Sequence, residues 1–185
     1  MKSCAKYPHL NNMPLPYSKK VLQHFNKPHN YGKMKNPDGV GQVGNLICGD
    51  VMKLYIKVSQ NKKGQDIIKD IKFETFGCVA AVAVSSMVTV LAKGKTLEDA
   101  LKIRKDDILG TIGQLPETKI HCSVLADDAL HEAIYDYYSK NKRAIPEDLL
   151  ERHKVLQKQL KIVEERHKDY TEMERKFLSG EINKC

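Results

Sequence analysis

The sequence predicts an α+β fold: a small antiparallel sheet covered on one face by helices, followed by a charged C-terminal helical extension. Three observations carry this. Residues 51–58 and 67–76 alternate apolar and polar side chains, and the polar run Asn61-Lys-Lys-Gly-Gln-Asp joins them, which is the pattern of a hairpin. Residues 78–92 are rich in Ala, Val, Ser and Met, apolar nearly all round, and stop at Gly94, as a buried helix does. Residues 123–138 put Leu125, Ala126, Ala129, Ala133, Ile134 and Tyr137 on one helical face. A sheet with one apolar face must bury it, and these helices supply the cover.

Taken in order, residues 1–16 form an N-terminal tail with no long apolar stretch and no Arg-rich amphipathic pattern. Neither a secretory signal nor a mitochondrial presequence is expected, and a cytoplasmic protein is the simplest reading. From Tyr17 a short helix places Val21, Leu22 and Phe25 on one face, and Lys27-Pro-His-Asn-Tyr-Gly ends it. Asn36-Pro-Asp-Gly is a turn leading into Gly39-Val-Gly41-Gln-Val-Gly44. That run matches G-x-G-x-x-G, but the dinucleotide fingerprint needs a strand before it and a helix after it. Here a proline turn precedes and an alternating strand follows, so nucleotide binding is rejected and the run is read as a Gly-rich lead-in to the hairpin. Thr96 caps a helix whose first turn holds Glu98 and Asp99. A short helix follows around residues 105–109, and the domain closes near Asn141.

The extension, residues 142–185, starts afresh with Pro146 at a helix N-terminus. Leu149, Leu156, Val163, Tyr170 and Phe177 recur seven residues apart, but their partner positions are irregular. This spacing points to self-association or docking against a partner. His153 and His167, two heptads apart, are read as surface or seam residues, not ligands.

The formal net charge is +8, from 31 Lys and Arg against 23 Asp and Glu. The basic residues are scattered among acids, with no zinc-finger spacing, aromatic RNA-binding strand or basic arm, so nucleic acid is not the expected partner. No apolar run approaches the roughly 20 residues that span a bilayer. Five cysteines, at 4, 48, 78, 122 and 185, form an odd set without close pairs, which suits a reducing compartment.

Three of those cysteines carry the chemistry. Cys48-Gly49-Asp50 sits in the lead-in to the first hairpin strand, where Gly49 lets a thiol and a carboxylate face one point. Cys78 stands where a strand hands over to a helix, and Cys122 directly before a helix expected to begin at Ser123. A helix N-terminus favours thiolate and lowers a pKa otherwise near about 8.5. His121, beside Cys122, can ligate a metal or move a proton. Thiolates select soft metals and iron–sulfur clusters. A structural zinc site pairs its ligands within one loop, whereas these come from three separated loops, as suits a site that opens.

Four blocks give a resemblance: Asn45-Leu-Ile-Cys48-Gly-Asp50-Val-Met-Lys-Leu, Phe76-Gly-Cys78-Val-Ala-Ala, Gly94-Lys-Thr-Leu-Glu-Asp-Ala and Lys119-Ile-His121-Cys122-Ser-Val-Leu-Ala. In order and spacing, residues 17–141 resemble the IscU/NifU scaffolds of iron–sulfur cluster assembly. The resemblance implies that Cys48, Cys78 and Cys122 hold the cluster, that Asp50 sets its lability, and that His121 and Lys119 flank the last cysteine. It implies a scaffold and sulfur acceptor, not a turnover enzyme. A cysteine desulfurase delivers sulfur to Cys122, ferrous iron settles among Cys48, Asp50, Cys78, His121 and Cys122, and iron and electron donors complete a transient 2Fe–2S cluster for apo iron–sulfur proteins. The family's chaperone block, Leu-Pro-Pro-Val-Lys, stands here as Leu115-Pro-Glu-Thr-Lys119, so the resemblance does not extend to that contact. Nor has the tail a counterpart in the short scaffolds.

Two rival readings remain at this level. The zinc-dependent sulfur acceptors of the SufU type share the Cys-Gly-Asp block, with zinc in place of the cluster, but carry an insertion before the last cysteine and lack the preceding His. The other is a metal storage or adaptor module that works by oligomerising through its tail.

Overall fold

A computed structural model describes residues 17–178, and side chains as far as Glu172 apart from Tyr170. The expectations for the N-terminal tail, Cys4, Cys185, Tyr170 and Phe177 fall outside the described residues or side chains. Strands β1 (Gly39–Gly44), β2 (Val51–Gln60) and β3 (Asp66–Phe76) form an antiparallel sheet in the order β1-β2-β3. Helices α1 (Lys19–Asn26), α2 (Val79–Ala92), α3 (Leu97–Ala100), α4 (Lys105–Ile112), α5 (His121–Lys140) and α6 (Glu147–Leu178) accompany it.

The hairpin is the predicted one. Asn61 Oδ1 accepts from the amides of Lys63 and Gln65 at 2.8 and 3.0 Å and fixes the turn. Opposed residues Leu54 and Phe73, and Ile56 and Ile71, share the inner face and are buried. The lead-in proves to be a third strand. Its glycines mask it from propensity, which disfavours glycine in strands, yet packing requires them. A Cβ at Gly41 would stand 2.2 Å from the Ala129 carbonyl oxygen, and one at Gly39 2.3 Å from that of Ala133. Helix α5 therefore lies directly on β1. No helix follows the glycine run, in keeping with rejection of the nucleotide fingerprint.

Helices α2 and α5 cover the inner face. Ala80, Ala81, Ala83, Val84, Met87 and Val88 of α2 are buried, as its all-round apolar composition anticipated. On α1 the buried pair is Val21 and His24, while Phe25 is exposed, which corrects the expected face. The helix meets α2 through His24, whose Nδ1 lies 2.8 Å from Ser86 Oγ, so a satisfied histidine takes the place of an apolar residue. Thr96 caps α3 as expected, accepting from the Asp99 amide at 3.1 Å.

The extension lies back on the domain. Leu149, Leu156, Leu160 and Val163 of α6 are buried, so its apolar row is covered within the chain. Arg152 pairs with Asp127 and Asp128 of α5 at 2.9 and 2.6 Å, and Glu132 takes His153 Nδ1 at 2.6 Å. At the edge of the sheet Gln42 donates to Glu164 at 3.0 Å. The far edge, β3, is paired locally: Gly32 N donates to Phe73 O, Phe73 N to Asn30 O, and Ile68 N to Lys95 O. Among the described residues no helix is long and apolar enough to cross a membrane.

Candidate metal centre

Three separate chain turns meet at one end of the sheet. In the first, Asn45 organises residues 45–50: its Oδ1 accepts from the Ile47 and Cys48 amides at 2.8 and 3.3 Å, and its carbonyl accepts from Gly49 N at 2.8 Å. Gly49 has φ +73°, a left-handed conformation that a side chain would strain. This loop leaves Cys48 exposed and turns Asp50 inward, where it is 8% exposed. In the second turn Cys78 caps α2 in extended conformation, its side chain free of any capping bond. The third is the 3₁₀ turn Glu117–Lys119, which runs into α5 and seats Cys122 in that helix's first turn.

Ligand atoms of Asp50, Cys78 and Cys122 all lie within 4.8 Å of one another. The sulfurs of Cys78 and Cys122 are 3.8 Å apart. Two sulfurs each about 2.3 Å from a tetrahedral metal stand about 3.8 Å from each other, so the pair is spaced for one ion. Among the described residues, Asp50 Oδ2 and His121 Nε2 are buried without a hydrogen-bond partner. A buried polar atom left unpaired is destabilising, and a metal ion at the site would engage the carboxylate. Cys48 and His121 stand outside the tight trio. Cys48 lies on the exposed side of its loop, and His121 borders a cleft of about 430 Å³ between residues 45–47, the start of α5 and α6.

The electrostatics correct one expectation. Helix α5 begins at His121 rather than Ser123, and Cys122 is fully buried. Burial first, then the neighbouring Cys78 and Asp50, push its thiol well above the ordinary range and outweigh the helix N-terminus. The Cys48 thiol is also raised, by desolvation within its loop foremost and then by the Asp50 carboxylate. Cys48 and Cys122 therefore favour the neutral thiol while no metal is bound, and a bound cation would reverse that. Lys119 faces the trio: the Cys78 sulfur, and after it Cys122, Tyr17 and Asp50, raise its ammonium.

Two participants were not singled out from the sequence. The hydroxyl of Tyr17 senses Cys78, Lys119 and Cys122, although burial is the main cause of its raised pKa. Helix α6 also reaches the site: Arg166 Nη1 donates to the Leu46 carbonyl at 2.9 Å, and the His167 ring meets Phe76 edge-on at 6.1 Å. The signal for α6 was the pair of histidines two heptads apart, which the seam pattern absorbed.

The family model of the NifU-like N terminal domain matches residues 16–144. Two Archaeoglobus fulgidus proteins named iron–sulfur cluster assembly scaffold protein IscU are each 51% identical over 156 residues, covering 84% of this chain and 99% of theirs. That alignment is too long for the family match to contain, so part of the tail has a counterpart there. The Escherichia coli K12 protein of the same name is 47% identical over 131 residues, covering 69% of this chain and 98% of its own. The iron sulfur cluster assembly protein 1, mitochondrial, of Yarrowia lipolytica is 49% identical over 133 residues, 70% of this chain and 71% of that one. Among solved structures, the N-terminal part of a NifU-like protein from Brucella abortus superposes with a TM-score of 0.52 at 22% identity, covering 68% of this chain and 96% of that one. The fold is thus shared with that group.

Proposed function

The chain belongs to the NifU-like N-terminal domain family, and from that membership we propose that it is a scaffold on which an iron–sulfur cluster is assembled and then passed on. The observation that supports this most directly is the convergence of Asp50, Cys78 and Cys122, two thiols at single-ion spacing beside a buried, unpaired carboxylate oxygen. The cargo is a 2Fe–2S cluster held by Cys48, Cys78 and Cys122, with Asp50 and His121 as exchangeable ligands.

Sulfur arrives as a persulfide on a cysteine desulfurase. A scaffold thiolate attacks the outer sulfur, a new S–S bond forms, and the old one breaks to leave the desulfurase cysteine as thiolate. Cys48 is the exposed thiol that a partner's persulfide meets first. Delivery to Cys122, the acceptor that the family resemblance implies, needs the wall over that buried sulfur to move. Each persulfide sulfur takes two electrons to become sulfide. Two ferrous ions supply half of the four as they become ferric, and an external electron donor supplies the other two. Lys119, cationic beside Cys78, offsets the negative charge that develops as the thiols ionise to take iron or sulfur. The apolar side chains of Ile47 and Phe76, each 79% exposed on the ligand loops, suit contact with the desulfurase and with apo iron–sulfur proteins.

Anoxic reconstitution with ferrous iron, cysteine and a desulfurase tests the reading. The expected result is an iron–sulfur absorption spectrum with near-equal iron and labile sulfide, lost in Cys48→Ala, Cys78→Ala and Cys122→Ala. A colourless protein that holds one zinc and accepts persulfide would replace the scaffold with a zinc-dependent sulfur carrier.

A further inference from the structure

Helix α6 brings a second imidazole to the site. His167 Nε2 lies 3.5 Å from the point where a Cβ on Gly49 would stand, between Cys48 and Asp50 in the chain. The same ring meets Phe76, two residues before Cys78, edge-on at 6.1 Å. His167 is thus placed between two of the three loops that carry thiols. The placement is held by the turn that precedes it: Arg166 donates to the Leu46 carbonyl at 2.9 Å, and Val163 packs on Gly44, where a Cβ would stand 3.0 Å from its own.

Packing alone does not account for the ring. Phe76 is 79% exposed, so His167 shields no core there. Its backbone carbonyl accepts from Thr171 Oγ1, but among the described residues neither ring nitrogen has a hydrogen-bond partner. The trio meanwhile offers one carboxylate and two thiols, and Cys48 stands outside it. Imidazole nitrogen is a good ligand for ferrous iron and for cobalt(II).

We infer that His167 is a further nitrogen ligand, recruited by a metal ion that binds on the Cys48 side of the site. This rests on the scaffold reading. A ligand from α6 adds a contact that opens when the helix end lifts from the loop, and so couples the tail to the loading and release of iron.

The test is an anoxic titration of the full chain with cobalt(II) alone, followed by thiolate-to-metal absorption and by X-ray absorption for bound imidazole. The variant is His167→Phe, which keeps the edge contact with Phe76 and removes the nitrogen. The dissociation constant should rise about tenfold, the low end of the range for residues that support a metal site. Imidazole scattering should persist in His121→Ala and vanish in the double variant His121→Ala, His167→Phe. An unchanged constant in His167→Phe, or imidazole lost in His121→Ala alone, overturns the inference. If Cys78→Ala also leaves cobalt binding unchanged, the scaffold reading falls with it.

Discussion

The Asp50 carboxylate lies flush against Gly77: a Cβ at that glycine would stand 2.9 Å from both its Cγ and its Oδ2, and 2.8 Å from the Ala81 methyl. The carboxylate that faces Cys78 and Cys122 is therefore positioned by the absence of a side chain one residue before Cys78. Gly77→Ala should push Asp50 out of the trio and weaken cobalt(II) binding about tenfold, with little change in fold. Equilibrium titration checks it, and unchanged affinity would mean that Asp50 is not held by this contact.

Asp50→Ala separates two roles of the same group. Removing a buried oxygen without a partner should leave the metal-free protein as stable as before or more stable by about 1 kcal/mol, read as a rise in Tm. The loaded variant should transfer its cluster several-fold more slowly. Transfer at the wild-type rate would remove Asp50 from the release step.

The three thiols should differ in reactivity. Cys48 is exposed and Cys122 buried, so iodoacetamide followed by peptide mass mapping should modify Cys48 first and Cys122 last. Because burial and its neighbours raise the Cys122 thiol, the neutral form persists beyond the ordinary value of about 8.5, and its rate should still be climbing above that pH. Equal rates for the two would contradict the observed geometry.

A second pH dependence belongs to the outer face of the sheet. Tyr55 donates to Glu74 Oε2 at 2.5 Å, and burial, then this bond, push its phenol up to about 12. A raised folded value means that the contribution is complete below the unfolded value of about 10 and is lost as pH rises towards 12. Denaturant melts across that interval should show wild type losing more stability than Tyr55→Phe. Parallel losses would show that the phenol is not so placed.

Gly41→Ala should be among the most damaging single methyl additions, because the nearest atoms are the backbone of α5 and cannot swing aside. A loss of about 3 kcal/mol or more is expected, measurable as a lowered denaturation midpoint. A well-folded Gly41→Ala protein would mean that α5 and β1 are less closely packed than described.

The hairpin, α2 and α5 were legible because burial on one face imposes a period that local sequence records. Strand β1 was not, since its glycines record the approach of a helix about ninety residues later in the chain. The candidate donors Cys48, Asp50, Cys78, His121 and Cys122 were legible, and of these the structure brings Asp50, Cys78 and Cys122 together. Their arrangement was not: solvent exposure at Cys48 and burial at Cys122 follow from loop geometry and from where α5 begins. His167 was read as a surface or seam residue because nothing in the periodicity of α6 shows that its far end reaches Gly49.

The two margins of the small sheet have a consequence for colloidal behaviour. Three strands are few, and exposed border strands recruit strands from other molecules. Here the Val40 amide is taken by Asp136 and α6 lies along β1, while the segments 30–32 and 94–95 occupy the border of β3. Both borders are thus closed to a strand from another molecule. Losing α6 would leave β1, rich in glycine, as the place where fibrillar association starts.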